Sequence, residues 1–296
     1  VEGEGELLAI VKDGETVDSA SQGALELVFD ETPFYAESGG QAGDHGVVKF
    51  KSGPEFTVTD VQKRGGGLHV LVGELKAGEV SVGDRAVQSI DKERRAAIRA
   101  NHSATHLLHA ALRNVLGTHV TQKGSLVEAD RLRFDFSHGQ PLSREELKAV
   151  EDEVNAVIRQ NTAVSTAEKS PEQAIKDGAL ALFGEKYGDV VRVVEFGDVS
   201  VEFCGGTHVR NSHDIGSFYI TKEAGVSAGV RRIEAVCGTA AIKYAKSYMN
   251  KYQEVQAEVK NNDALTGIKK LKDQIKELKK ELEVAQSSSA TPISEE

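Results

Sequence analysis

A mixed α+β protein, with a small β-barrel ahead of a helix-and-strand domain and a helical tail, is predicted by three features of the sequence. Up to about residue 90 the chain is rich in glycine and alternates apolar and polar residues at period two. Between about 91 and 240, helical periodicities alternate with groups of strand-like runs. From Ala240 onward the pattern is helical to about Ala285.

The alternation in the first region is visible in Leu25-Glu26-Leu27 and Phe56-Thr57-Val58-Thr59. These runs are broken by Asp13-Gly14, Gly39-Gly40, Gly65-Gly66-Gly67 and Gly83-Asp84, and short strands at this spacing predict a barrel over 1–90. Asp91 then caps a helix toward Gly117, with Leu107, Leu108, Ala111, Leu112, Val115 and Leu116 as its apolar face. Strands are expected over 122–127 and 131–136. Ser143 and Glu146 form a capping box that opens a helix to about Gln160, and Ser170-Pro171 opens a shorter one. Further strands are expected over 190–196, 199–203, 217–221 and 230–236, completing an α+β domain over 91–240. In the tail, over 241–286, Leu271, Ile275, Leu278, Leu282 and Ala285 follow a heptad seam. Asn261-Asn262-Asp263 and Gly267 are expected to interrupt the helix before it. The seam suits a dimerising contact, a bundle helix or a free coiled coil. Residues 287–296 are expected to be disordered.

Composition narrows the function. The chain has 296 residues, and 36 Lys plus Arg against 46 Asp plus Glu give a net charge of −10. That balance argues against indiscriminate nucleic-acid binding, which needs many cationic contacts to phosphate, but leaves room for a local basic patch. A 39 % apolar fraction suffices for a core, and no run approaches the roughly 18 apolar residues of a membrane span. Two cysteines, Cys204 and Cys237, make no disulfide framework, so a cytoplasmic, reducing compartment is expected. The start Val1-Glu2-Gly3-Glu4 carries no signal peptide and no initiator Met, as in a piece of a longer protein.

The histidines carry the chemistry. His102-Ser103-Ala104-Thr105-His106 lies inside a helical pattern, and residues four apart share one helix face, so both imidazoles can reach one metal ion. Alone, that spacing is more often incidental. Cys204-Gly205-Gly206-Thr207-His208 adds a thiolate and an imidazole around a turn whose glycines bend the backbone toward a ligand. His102, His106, Cys204 and His208 together form a good set for Zn²⁺; the competing reading is a packed cysteine and a histidine at a strand end. His109 shares the face but lies nearly two turns from His102, which places it behind the ligands or in the core. An HExxH protease carries a glutamate after its first histidine; here that position is Ser103, which disfavours peptide hydrolysis by that route.

These residues resemble the editing domain of alanyl-tRNA synthetases and the free-standing AlaX-type deacylases. The segment from Asn101 through Phe136 and the Cys204-Gly205-Gly206-Thr207-His208-Val209 signature carry the likeness. The segment Pro33-Phe34-Tyr35-Ala36-Glu37-Ser38-Gly39-Gly40-Gln41-Ala42-Gly43-Asp44 is similar to the barrel preceding that domain. The resemblance covers roughly residues 5–245. Ser212-His213 departs from it, where Thr-Gly is expected. The likeness implies a zinc-dependent aminoacyl-tRNA deacylase that hydrolyses serine or glycine from wrongly charged tRNA(Ala). It also implies no amino-acid activation, because the class II aminoacylation core is not recognised in this chain.

The resemblance further implies roles. Thr105 is expected to hydrogen-bond the serine hydroxyl, although a helix threonine can equally bond back to the carbonyl one turn earlier. Gln122 is expected to hold the aminoacyl end, Gly205 and Gly206 to border the substrate, and Arg231 to meet phosphate. Thr105, Gln122 and Cys204 are the expected catalytic residues. Lys92, Arg94, Arg95 and Arg99 offer a basic strip for the acceptor end of tRNA(Ala), or simply a solvated helix face. Gln41 resembles the Gly-Gly-Gln of translation release factors by analogy only. Four protein ligands would close a zinc tetrahedron, so Cys204 or His208 is expected to be labile. The alternatives are a threonyl-type editing domain, a non-catalytic zinc-stabilised tRNA-binding module, and a coiled-coil scaffold with self-association through the C-terminal helix.

Overall fold

The structure is a computed structural model that describes residues 2–181 and 187–289. Alternating apolar side chains build seven antiparallel strands at the start: β1 Glu2–Lys12, β2 Glu15–Val17, β3 Ser19–Phe29, β4 Gly46–Phe50, β5 Glu55–Arg64, β6 Leu68–Ser81 and β7 Arg85–Ile90. Their order is β2-β1-β3-β6-β5-β4-β7, and β1 also pairs with β7. Six strands therefore close on themselves and β2 rides outside on β1. Leu7, Ile10, Leu27, Phe56, Val61, Leu71 and Leu75 point inward and are fully buried, so the barrel is a packed core and not a channel.

Asp91 caps the next element by accepting the Arg94 amide at 2.9 Å, and α1 (Lys92–Leu116) follows. A hairpin, β8 (Gln122–Val127) and β9 (Leu132–Ser137), leads to α2 (Arg144–Gln160), which opens with the reciprocal Ser143–Glu146 capping box. Then come β10 (Val164–Lys169), α3 (Pro171–Lys176), β11 (Val191–Phe196) and β12 (Ser200–Phe203). A short 3₁₀ turn over Ser212–Ile215 precedes β13 (Phe218–Ser227) and β14 (Val230–Cys237). The strands form a four-stranded sheet, β13-β14-β9-β8, and a three-stranded one, β10-β11-β12. Leu107, Leu108 and Leu112 of α1 and Val150 and Val154 of α2 pack with Phe134, Phe136, Phe218 and Ile233 in one core.

The last helices are α4 (Gly238–Glu258) and α5 (Ala264–Ser289). The break around Asn261-Asn262-Asp263 occurs where expected. Gly267 does not interrupt the helix: it lies inside α5, where a Cβ would come within 2.6 Å of the Val259 side chain. Its missing side chain serves packing. The expected strand over 217–221 extends to Ser227, and β10 is a strand that its polar sequence, Val-Ser-Thr-Ala-Glu-Lys, did not announce. Of the stretch expected to be disordered, α5 runs through Ser289 and 290–296 lie outside the described residues. The chain divides into two compact units, Val1–Ala241 and Ile242–Glu296. No helix among the described residues is long and apolar enough to cross a membrane.

Within the first unit the barrel is latched to α1. Arg95, expected in the basic strip, is instead buried, and its guanidinium grips Asp44 through two charge-assisted bonds, Nε to Oδ1 at 2.8 Å and Nη2 to Oδ2. Nη2 also donates to the Pro33 carbonyl at 3.2 Å, and Asp44 Oδ2 accepts the Tyr35 amide at 2.6 Å. Breaking a buried pair strands one charge, which costs about 3–5 kcal/mol. Asp44→Asn and Arg95→Met are each expected to lose stability on that scale in urea unfolding, and the double variant to lose less than the sum. Additive losses would show that the pair acts as two separate contacts.

Candidate metal centre and its cavity

His102 and His106 lie one turn apart on α1 and are buried by the barrel on one side and the β12 end on the other. The Cys204–His208 loop leaves β12 and folds back over them. Arg192 of β11 staples this loop, donating from Nη1 to the carbonyls of Cys204 at 2.8 Å and Gly206 at 2.7 Å. Gly206 is obligatory by close approach: a Cβ there would lie 2.1 Å from His102 Cε1 and 2.8 Å from Gln41 Oε1.

One donor atom from each of His102, His106, Cys204 and His208 lies within 4.8 Å of the others. Cys204 Sγ is 3.4 Å from His102 Nε2 and 3.2 Å from His208 Nε2. A tetrahedral ion with bonds of about 2.0–2.3 Å needs donor separations only slightly greater than these, so the set fits zinc in both composition and spacing. The electrostatics agree. Burial pushes the Cys204 thiol up, but the positive charge of His102 and hydrogen bonds from His102, His106 and His208 hold it well below the ordinary thiol range. Burial and the nearby charge of His102 push His208 down to about 3, the direction that keeps a ligand lone pair free. For His106 the cost of burial is outweighed by the charges of Glu202 and Cys204, which raise it.

The Nδ1 atom of each of the three imidazoles faces a different residue. Gln41, fully buried and carried by the barrel segment, sits 2.7 Å from His102 Nδ1 through Oε1. The same oxygen accepts the Thr207 amide at 2.9 Å, while Gln41 Nε2 donates to Thr207 Oγ1 at 2.9 Å. A backbone amide only donates, so the atom facing it is the carbonyl oxygen. His102 Nδ1 must then carry a hydrogen, so Nε2, the nitrogen facing Cys204, is the one that would give up its proton to offer a metal a lone pair. His208 Nδ1 lies 3.1 Å from Ser103 Oγ, which also accepts the Val209 amide. Among the described residues His106 Nδ1 has no hydrogen-bond partner, and it lies 3.9 Å from Glu202 Oε2. Glu202 is buried, with Oε1 at 3.2 Å from His109 Nδ1 and at 2.9 Å from the Ser200 hydroxyl that donates to it. His109 thus stands behind the ligands.

A cavity of about 730 Å³ opens on this cluster. His102, His106, Cys204, Thr105, Gln122, Gly205 and Gly206 all line it. Thr105 Oγ1 donates back to the Asn101 carbonyl at 2.9 Å, so any further hydrogen bond to this oxygen is one that it accepts. The Gly206 amide points at Cys204 Sγ, 3.4 Å away. Arg231 is not among the lining residues: its Nε donates to Glu223 Oε1 at 2.6 Å. Of the basic residues in the wall, Arg192 carries the guanidinium beside the ligands, with Arg113 and Lys63 elsewhere. Tyr35 and His69, both from the barrel region, line it too. These, with Gln41, Ser103 and Glu202, lay beyond spacing arguments, because each acts from a segment outside the two ligand motifs or from between their histidines. Ser212, the departure from the expected Thr-Gly, is buried, and its hydroxyl donates to Val157 O at 2.9 Å while accepting the Thr162 amide.

Gly206→Ala and Gln41→Leu are each expected to weaken zinc binding by about 10–100-fold in competition with a chelator, because both displace or unlock His102. Unchanged affinity in either would detach Gln41 and Gly206 from the centre. In the native protein a thiol reagent is expected to label Cys204 and spare Cys237, whose thiol burial pushes up to about 12. Added zinc is expected to protect Cys204.

Comparison with known proteins agrees with this geometry. Residues 1–94 match the family model described as tRNA synthetases class II (A), and residues 191–234 match the threonyl and alanyl tRNA synthetase second additional domain. An alanine–tRNA ligase from Hyphomonas neptunium is 59% identical over 251 residues, covering 82% of this chain and 28% of the relative. One from Aliarcobacter butzleri is 54% identical over 274 residues, 91% of this chain and 31% of the relative. One from Rhizobium meliloti is 50% identical over 300 residues, 97% and 34%. The chain spans about a third of the length of the curated relatives it matches. With the barrel, the additional domain and these relatives in agreement, the chain belongs to the alanyl-tRNA synthetase family.

Proposed function

We propose that this chain carries the editing activity of its family: hydrolysis of the ester that joins serine or glycine to tRNA(Ala), at a zinc centre held by His102, His106, Cys204 and His208. The observation that carries the reading is the convergence of four donor atoms within 4.8 Å of one another, three of them (on His102, His106 and Cys204) from residues that line a cavity large enough for an aminoacyl ester. When bound, zinc supplies Lewis acidity, polarising an ester carbonyl or lowering the pKa of a water toward about 7.

The protein's own groups have separate tasks. Gln41 and Ser103 hold His102 and His208 from behind at hydrogen-bond distance, and Glu202 faces His106 with its charge. Thr105, whose hydrogen is committed to Asn101, accepts the hydrogen of a serine hydroxyl. Gln122 offers an amide to the aminoacyl end, and the bare Gly205–Gly206 backbone leaves room beside the ligands. Cys204 and His208 remain the candidates for a ligand that loosens when substrate arrives. The alanine–tRNA ligase relatives favour tRNA(Ala) over the threonyl alternative, since the additional-domain match alone is shared by both. The apolar seam of α5, with Leu278 and Leu282 exposed, fits self-association of the tail.

Metal analysis paired with a deacylation assay on serylated tRNA(Ala) tests this reading. His102→Ala is expected to lose zinc and hydrolysis together, because ligand loss removes both at once. A protein that keeps full hydrolysis without metal would refute the zinc assignment, and faster turnover of serine on tRNA(Thr) would transfer the substrate. Thr105→Val is expected to leave zinc content intact and to reduce the serine reaction most, by about 10-fold or more, from loss of one buried hydrogen bond. Equal losses for serine, glycine and alanine esters would remove Thr105 from recognition.

A further inference from the structure

Each arm of the metal centre carries an arginine just outside the cavity. Arg99 lies on α1 three residues before His102, about 4.5 Å along the helix axis, and Arg210 follows His208 by two residues. Neither lines the cavity. Arg99 is partly buried, and its Nε is shielded from water with no hydrogen-bond partner among the described residues. Arg210 is exposed. No carboxylate among the described residues pairs with either side chain. Asp44, the carboxylate whose field reaches Arg99, is already gripped by Arg95. Burial and the like charges of Arg95 and Arg210 all weaken the hold of Arg99 on its proton.

Such an arrangement is unfavourable in the free protein. A chain of net charge −10 has carboxylates to spare, yet the charge of Arg210 bears on Arg99: the Val209 amide, next to Arg210, is bound by Ser103, one helical turn beyond Arg99. A partly desolvated, unpaired cation is stabilised by an anionic ligand, and the guanidinium fork matches phosphate oxygens. We infer that Arg99 and Arg210 form a clamp for a backbone phosphate of the RNA strand whose 3′ end enters the cavity. The inference rests on the proposed action at an aminoacyl-RNA terminus. It also divides the basic strip read from the sequence: Arg95 is a structural latch, whereas Arg99, joined by Arg210 from a distant segment, meets the ligand. Because both arginines are fixed to the segments that hold the metal ligands, a phosphate gripped there sets the distance from the strand to the ester.

The test uses the full chain and an RNA hairpin with a CCA 3′ end carrying serine through a non-hydrolysable 3′ amide. Binding is measured over a range of salt concentrations, with zinc content, thermal unfolding and hydrolysis of a small serine ester measured alongside. Arg99→Ala and Arg210→Ala are each expected to weaken hairpin binding roughly 10-fold and to flatten the salt dependence by about one counterion. Zinc content and small-ester hydrolysis are expected to stay at the wild-type level. Arg210→Glu gives Arg99 a carboxylate partner, so it is expected to raise the unfolding temperature while weakening RNA binding further. A merely structural arginine would not separate those two readouts. Wild-type hairpin affinity and salt slope in the alanine variants would overturn the clamp. So would a fall in both stability and RNA binding in Arg210→Glu. Should the wild type bind the hairpin through these arginines but hydrolyse no ester, the clamp stands and the proposed editing activity falls.

Discussion

The hydrogen bonds around Gln41 are the constraint on which the rest of the site depends. A single buried amide accepts from His102 and from the Thr207 backbone and donates to the Thr207 hydroxyl. It therefore joins three segments that are remote in sequence: the barrel, the ligand helix and the ligand loop. Each contact fixes the others. The Thr207 amide orients the glutamine, the glutamine sets which nitrogen of His102 carries hydrogen, and His102 occupies the space that only a glycine at 206 leaves open. The approach of the barrel is itself held by backbone pairing, with the Val127 amide donating to Gly40 O at 2.7 Å and the Ala42 amide to Val127 O at 3.0 Å. Gly40 has φ +82°, and a Cβ there would meet the Ser125 carbonyl at 2.4 Å, so the turn and the close approach both require glycine.

This makes the barrel part of the candidate metal centre and more than an appendage. Two buried polar contacts tie it down, one charged through Asp44 and Arg95 and one neutral through Gln41. Both are costly if half made, because an unpaired group would be left without water. Register between the barrel and α1 is therefore specified sharply, where an apolar contact alone would tolerate sliding. The same logic gives the site its electrical character. The protein is acidic overall, yet Arg192, Arg113 and Lys63 stand in the cavity wall, while Glu202, the carboxylate in that wall among the described residues, is enclosed by His109 and Ser200. An acidic surface repels stray polyanions, and a local cationic lining favours an anionic group at that one place.

Much of this was legible in the sequence, for identifiable reasons. Period-two alternation with glycine breaks gave the strands of the barrel, and capping residues gave the helix starts, because both are local rules. The pairing of His102 with His106 followed from helix geometry. Their meeting with Cys204 and His208 was a prediction of chemistry, since a thiolate and an imidazole around a Gly-Gly turn complete a donor set for one metal ion. What escaped was long-range. Gln41 acts across 61 positions on His102, and no periodicity reports that. The resemblance assigned Arg231 to phosphate, but Glu223 on the neighbouring strand pairs with its guanidinium. Strand β10 has a polar face on both sides and shows no alternation. Gly267 was read as a breaker, yet a glycine in a helix costs only about 1 kcal/mol and is retained where a neighbour needs its volume.

The cavity also bears on how two unlike substrates of the proposed reaction can be told from alanine. Thr105 Oγ1 gives its hydrogen to Asn101, so toward a substrate hydroxyl it acts only as an acceptor. Serine can satisfy it and alanine cannot, and a buried polar group left unpaired separates such a pair by up to about 10⁴-fold. Glycine lacks the hydroxyl and differs from alanine by one methyl group. A pocket distinguishes a methyl group by only about 1–3 kcal/mol, and a smaller substrate is not excluded by size. The same hydrogen bond therefore cannot serve both. Under the editing reading, serine over alanine is expected to exceed glycine over alanine in kcat/KM ratio by at least about tenfold, and Thr105→Val to collapse the first ratio while leaving the second in place. Parallel collapse of both would mean that the pocket recognises the ester and its ammonium alone, with discrimination against alanine made elsewhere in the full-length protein.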